Sequence, residues 1–265
     1  MDFIPSKKLT KASALVAANS ISAKQFAIYI AQVQLAKGLQ AWEAPSVSSY
    51  QAWVTELYLS LNSDKNRSLL NSAQSRALWQ KVIKSSSTSA NLIGTDNLVD
   101  WAIDASRKLR GWTLNHENLE DWSNNIEVMS LCRWSEDYEQ LLKIEGWIDS
   151  NDAENFISNS QLKPKENKSI IWTGIDCIPT QRYLFERFIR AGHDIKAWQP
   201  DDACGEVVRT KFSTFSDEIE ASAIWAKNNL IKNPKQRLAI VIPTLGKRRQ
   251  ETYRIINEIL DPTAV

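Results

Sequence analysis

The hydrophobic period of this chain changes twice, and that switch constrains the fold more than any single motif. From Ala14 to Ile30 the sequence "ALVAANSISAKQFAIYI" joins an apolar, strand-like run to a short polar turn and then to a helical pattern. Between Gln51 and Asn159 the dominant period is helical, and from Ser169 strand and helix signals alternate again. Such alternation implies a parallel sheet with helices packed on it. The helical stretch between reads as a lobe inserted into one α/β unit.

Within that lobe "DNLVDWAIDASRKLRGW" aligns Leu98, Trp101, Ala102, Ala105 and Leu109, with Asp96 as cap and Gly111 as stop. "SLLNSAQSRALWQKVI" places Leu70, Ala73, Ala77, Leu78 and Val82 on one face; "NNIEVMSLCRWSEDYEQLLKIEGW" does the same with Ile126, Met129, Trp134, Tyr138 and Leu141, stopping at Gly146. Trp79, Trp101, Trp112, Trp122, Trp134 and Trp147 are expected in the core. "KSSSTSANLIGT" reads as a loop and "SQLKPKENK" as a polar linker. Beyond it "SIIWTG", "DIKAW", "EVVRTKF" and "RLAIVI" read as strands. The helices between and after them are "TQRYLFERFIRAG", opened by Pro179 and Thr180 and stopped at Gly192, "SDEIEASAIWAKNNLIKNP", with Ile219, Ala223, Ala226 and Leu230 aligned, and "GKRRQETYRIINEIL".

At 265 residues the chain has room for one large domain or two smaller ones. No apolar run approaches the ~20 residues that cross a bilayer, and Met1 to Thr10 is too polar for a signal-peptide centre. Cys132, Cys177 and Cys204 are widely spaced, as are His116 and His193, so neither a disulfide framework nor a metal-ligand spacing is present. The expectation is a cytoplasmic protein with no metal and no cofactor. A net charge of +1 hides two opposed blocks: Asn115–Asn159 holds eleven Asp/Glu against Arg133 and Lys143, and Lys227–Arg254 holds eight Lys/Arg against Glu251. The first reads as a solvated helical face, the second as a pointer to a polyanion.

A strand, a tight turn and a helix N-terminus can together hold an anion on backbone N–H groups. The phosphate-binding version needs glycines and a Lys-Ser/Thr pair, and "NSISAKQF" has neither. The residues themselves read as an ordinary βα turn with Asn19 or Ser20 capping the helix. "TLGKRRQ" contains Gly-Lys but lacks the upstream glycine and the Ser/Thr after Lys247. No G-x-S-x-G elbow accompanies either histidine. Asp201 with Asp202, and Asp217 with Glu218, read as loop or cap charges, and Cys177 as a buried thiol. No catalytic site is expected.

The order of these patterns resembles the N-terminal part of AddB-type helicase-exonuclease subunits, a bacterial DNA-repair family. The segments that carry it are "LVAANSISAKQFAIYIAQVQLAKGLQAWEAPSVSSYQAWVTELY", "LLNSAQSRALWQKVI", "WTGIDCIPTQRYLFERFIRAG" and "DEIEASAIWAKNNLIKNPKQRLAIVIPTLGKRRQETYRIINEIL". The resemblance implies a P-loop-NTPase-like α/β fold. Its first part would be residues 1–50, the inserted all-helical lobe 51–160, and the remainder 161–265, with a second helicase-like domain starting near 206. It implies that Asn19, Ser20 and Lys24 stand where an active member carries its phosphate loop, and that Asp176 stands in the Mg²⁺-binding segment without its acidic partner. Ser48, Ser49, Tyr50 and Trp53 would lie on a DNA-contacting segment, with Tyr50 or Trp53 stacking a base. From the residues themselves, Lys247, Arg248 and Arg249 stand at the start of the last helix, just beyond "LAIVIP", and read either as a solvated basic turn or as cations that face a DNA phosphate. The implied role is a non-catalytic scaffold that assists binding of single-stranded or forked DNA, beside an AddA-like helicase; the family's C-terminal nuclease does not occur in this sequence. A stand-alone doubly wound protein acting on a small ligand at the strand C-termini stays open.

Overall fold

The computed structural model describes residues 13–62, 67–86, 95–114, 125–162, 169–199 and 207–260. His116, Trp122, Asp201, Asp202, Cys204, Met1 to Thr10 and most of both polar connectors lie outside the described residues. The chain divides into two compact units, 1–201 and 202–265.

The first unit is α/β. Four parallel strands, β1 (Ala14–Ala17), β2 (Ser46–Ser49), β5 (Ile170–Thr173) and β6 (Ile195–Trp198), lie in the order β2-β1-β5-β6. Counting these four alone, the order is second, first, third, fourth: the chain winds outward in both directions from between β1 and β5. Pleating puts alternate residues on opposite faces. Leu15 and Ile171, paired across β1 and β5, face helix α1 (Ser20–Ala36) and pack with Ile30, Phe26 and Trp198. Val16 and Ile170 face the other way, toward α2 (Tyr50–Leu61) and α7 (Pro179–Arg190), in a core rich in Trp53, Tyr58, Leu184, Phe185 and Phe188. Both faces are therefore covered, as a parallel sheet requires.

Between β2 and β5 the chain builds the lobe from α3 (Ser72–Ser85), α4 (Thr95–Gly111), α5 (Ile126–Glu145) and α6 (Ser150–Asn159). No central-sheet strand comes from this stretch among the described residues. Its helices carry one small addition, the two-residue parallel pairing of β3 (Ser68–Leu69) with β4 (Trp147–Ile148). The lobe core contains Leu70, Leu78, Trp79, Val82, Val99, Trp134 and Tyr138, with Trp79 stacked on Tyr138 at 4.4 Å. Two anchors tie it to α7: the Arg187 Nε donates to the Ser158 carbonyl at 2.8 Å, and the Thr180 hydroxyl to the Gly111 carbonyl at 3.3 Å.

Three expectations fail on helix faces. Trp101 is 69% exposed and Trp112 is also exposed, because the inward face of α4 runs through Val99, Ala102 and Ser106. Ile126 and Met129 are exposed in the first turn of α5, and Ala73 and Ala77 are exposed on α3. In each helix a serine (Ser106, Ser130, Ser75) occupies an inward position that a purely hydrophobic count passes over.

The second unit contains α8 (Phe215–Lys232) and α9 (Leu245–Leu260). Ile219, Ala223 and Ala226 are buried as their spacing predicts, with Ile255 of α9. The Lys227 Nζ donates to the Ile259 carbonyl at 2.5 Å, and the Ser216 hydroxyl to Glu251 at 3.1 Å. "EVVRTKF" and "RLAIVI" do not form strands among the described residues, and Val207 and Val241 are 92% and 87% exposed. A β-branched run becomes a strand only when a neighbour supplies its ladder hydrogen bonds and a covered face.

Candidate functional site

The C-terminal edge of the central sheet gathers most of the residues singled out above. β1 and β5 end side by side, joined by the Ala18 N–H donating to the Thr173 carbonyl at 3.2 Å. Asn19 follows directly and caps α1: its Oδ1 accepts from the Ser22 N–H at 2.9 Å, and its carbonyl from the Ala23 N–H at 3.0 Å. Ser20 is the first residue of α1, and Lys24 is exposed one turn further on. On the β5 side Gly174 has φ +67°, a left-handed turn that favours glycine. Asp176 is exposed on the loop that follows. The structure thus brings Asn19, Ser20 and Asp176 to the point where strand order reverses, the place where doubly wound sheets bind ligands.

The segment after β2 differs from its expected role. Ser48 is half-buried in the strand, and Ser49 caps α2 by accepting from the Ala52 N–H at 3.3 Å. Tyr50 and Trp53 are each only 6% exposed. Trp53 stacks on Phe185 at 5.8 Å and packs on Phe188 at 5.4 Å, so neither ring has a face left to stack a base. Behind them is a half-buried polar group absent from the sequence-based list. Glu154 of α6 faces Tyr50 and Thr180, and burial pushes its carboxyl above the ordinary value. Burial, with the charge of Glu154, raises the Tyr50 phenol, and burial pushes the Cys177 thiol up to about 11. A thiol held neutral is a poor nucleophile.

The basic turn belongs to the second unit. Lys247, Arg248 and Arg249 stand in the first turn of α9 and are exposed, as expected, although no strand precedes them. Their backbone is not open to a phosphate. The Lys247 and Arg248 N–H groups both donate to the Thr244 carbonyl, at 3.0 and 3.3 Å. Arg248 departs from helical geometry, lies over the Phe215 ring at 4.4 Å and reaches Glu251 at 3.9 Å.

A third polar centre lies inside the lobe, in the acidic block expected to be a solvated face. Four of its carboxylates turn inward or partly inward: Glu139, Asp149, Asp152 and Glu154. Asp149 caps α6 by accepting from the Asn151 N–H at 2.9 Å, and its other oxygen accepts from Ser75 at 2.7 Å and Tyr138 at 2.5 Å. Burial alone would raise its carboxyl, but those donors and Arg110 hold it below the ordinary value. Arg110, from the end of α4, donates to Asp152 at 2.6 Å and Glu139 at 3.1 Å. Burial raises the Asp152 carboxyl even so, with Asp149 and Glu139 adding to the effect. Nothing in the linear spacing of Arg110 and Asp152, 42 residues apart, signals this pair.

Among the described residues no group of three or more His, Cys, Asp or Glu is placed to hold a metal, and no helix is long and apolar enough to cross a membrane. Compared with protein-family models the chain has no match, and no curated protein matches it.

Proposed function

We propose that this chain is the non-catalytic, helicase-like scaffold region of a bacterial, cytoplasmic DNA-repair helicase-nuclease, and that it assists DNA binding without turning over nucleotide. The observation that carries this is the β1–α1 turn. It follows β1 at the switch point of the sheet, where doubly wound proteins hold ligands, and its helix start is closed by the chain's own Asn19 side chain. Phosphoryl transfer needs a glycine-rich loop that wraps the phosphates, with a Lys and a Mg²⁺ to offset charge. Here Lys24 is one solvated cation, and Asp176 stands without a second carboxylate beside it. Motor activity then belongs to an AddA-like partner, and the scaffold contributes contacts with single-stranded or forked DNA. In this chain those contacts come from the exposed side chains of Lys247 and Arg249, with Arg248 partly held by Phe215. Side-chain cations without backbone donors give weak binding that ignores base sequence and falls as salt rises.

Two measurements test this. Calorimetry with Mg-ATP is expected to show no saturable binding; a micromolar Kd near one-to-one stoichiometry overturns the scaffold reading. Retention of labelled single-stranded DNA at low salt should be abolished by Lys247→Glu, Arg248→Glu and Arg249→Glu together. The triple Lys163→Glu, Lys165→Glu and Lys168→Glu should change it little. Equal losses from both triples reduce the effect to general charge.

A second reading, a small ligand bound at the strand C-termini, is favoured by the exposed Asp176 and left-handed Gly174 at the switch point. A compound that raises Tm in the parent but not in Asp176→Ala would decide for it.

A further inference from the structure

Between α5, α6 and the short β3–β4 pairing lies a cleft of about 480 Å³, a volume in the range of small-ligand sites. Strand register sets its charged end. The Ser68 N–H donates to the Gly146 carbonyl at 3.0 Å, so Arg67, one residue earlier, lies at the C-terminal cap of α5, whose last turn carries Lys143. Both cations line the cleft. The backbone of Arg67 is pinned: its carbonyl accepts from the Tyr58 hydroxyl at 2.7 Å and the Asn62 Nδ2 at 2.8 Å, and Tyr58 is fully buried. The Arg67 and Lys143 side chains are nevertheless exposed, and neither joins an ion pair among the described residues. Carboxylates are at hand but already taken. Glu139 and Asp152 line the same cleft, and both accept from Arg110, at 3.1 and 2.6 Å. Two unneutralised cations are thus left on its wall. Beside them the wall is aromatic: Trp147 and Phe156 are half-buried, and Phe156 is braced edge-on by the Tyr58 ring at 5.0 Å.

We infer that this cleft binds a small organic monoanion with a flat ring, its carboxylate on Arg67 and Lys143 and its ring against Trp147 and Phe156. A guanidinium can take a carboxylate through two parallel hydrogen bonds, and an aromatic wall favours a planar apolar group. A cation would meet Arg67 and Lys143, and a neutral ring would leave both unpaired. An extended polyanion would run into the excess of Asp/Glu in Asn115–Asn159, from which most of the cleft is built.

The test uses the full chain, isotope-labelled, with sodium benzoate as probe. Sodium acetate supplies the charge without the ring and benzyl alcohol the ring without the charge, at matched ionic strength. The expected result is a saturable shift of the Ser68 and Asn155 amides and the Trp147 indole N–H, with a millimolar Kd, for benzoate alone. Arg67→Gln and Lys143→Gln alter exposed side chains and should each weaken the probe by roughly tenfold with Tm unchanged. Lys81→Gln, at an exposed cation of α3 outside the cleft, should leave binding as it is. Equal saturation by benzyl alcohol would show an apolar groove alone, and equal saturation by acetate a charge pair alone. Equal weakening by Lys81→Gln would reduce the effect to general charge. Each of these outcomes, undiminished binding in both cleft variants, or no saturable shift with benzoate overturns the inference. The cleft belongs to the first unit and the cations Lys247, Arg248 and Arg249 to the second, so this site and the DNA contacts proposed above fail separately.

Discussion

At the sheet edge, Asn19 and Ser49 each cap a helix with a short neutral side chain, and the charged neighbours Lys24 and Asp176 are exposed. In the lobe, Asp149 caps a helix while buried, shares its carboxylate with Ser75 and Tyr138, and lies beside an ion pair that is itself mostly out of water. Both places solve the same problem, a helix start with unpaired N–H groups. They differ in what failure would cost. A cap at the edge can be replaced by water, whereas the lobe carboxylate cannot be removed without stranding several buried partners. Polar groups that resemble a working site in sequence are therefore the dispensable ones, and those that organise the structure are spread over α3, α4, α5 and α6.

The largest effect expected from this contrast is Asp149→Ala. It removes the α6 cap, leaves the Ser75 and Tyr138 hydroxyls without their acceptor and weakens the compensation of Arg110. Loss of one member of such a buried network costs about 3–5 kcal/mol. Urea unfolding measures it. Asp149→Asn, which keeps a cap acceptor, should cost distinctly less; equal losses would mean that the carboxylate charge, not the cap, carries the effect.

The carboxylates of the lobe should also differ from one another in the sign of their pH dependence. Asp149 has a folded pKa below its ordinary value, so its stabilisation is present above that ordinary value and is lost as pH falls through the folded one. Glu154, behind the sheet edge, has a raised folded pKa. Its charge therefore costs stability as pH rises from the ordinary carboxylate value through the folded one, and Asp152 acts in the same direction. Unfolding free energies measured across mild acid for the parent and Glu154→Gln should converge at the acid end and separate as pH rises, the variant being the more stable. Parallel curves would contradict the buried placement of Glu154.

Much of this architecture is legible in the sequence, for a physical reason. Strands β1, β5 and β6 and helices α7, α8 and α9 each carry their own signal: an apolar run, a Pro start, a Gly stop or a 3.6-residue period. What escapes is anything that depends on a partner distant in sequence. "EVVRTKF" and "RLAIVI" have strand composition but no ladder to join among the described residues. Trp53 looks as fit for stacking a base as for a core until Phe185 and Phe188, more than 130 residues later, close over it. The acidic block looks solvated because Arg110 and Ser75, which draw part of it inward, stand 29 to 74 residues before the carboxylates they bind. Asn19 is the opposite case. Its cap reaches three residues along the chain and is readable from "NSISAKQF" alone.

A smaller effect is expected at Gly174. Its φ of +67° places any other residue in the left-handed region, at a cost of about 1–2 kcal/mol. A Cβ added there would lie 3.7 Å from the Ala18 Cβ, an ordinary contact, so the cost is backbone strain without a clash. Gly174→Ala should therefore shift the urea midpoint modestly. Gly174→Asn should shift it less, since asparagine tolerates this conformation. Equal shifts would show that space, not backbone geometry, limits the turn.

The smallest effect tests the edge itself. Asn19→Ala deletes one side-chain acceptor at an exposed helix start and should cost about 1 kcal/mol, and Asn19→Gly only a few tenths. The glycine variant is the more informative. It removes the side chain that closes the α1 N-terminus and restores one of the glycines that a phosphate loop needs, while Lys24 remains one turn away. If the closed cap were the only obstacle to nucleotide, Asn19→Gly would gain measurable Mg-ATP binding. The expected result is none, because backbone wrapping of phosphates needs several N–H groups converging from one loop, and Ala18 and Ala23 already donate theirs to Thr173 and to the carbonyl of residue 19. A gain of binding in that variant would trace the obstacle to nucleotide to a single side chain instead of to the shape of the turn.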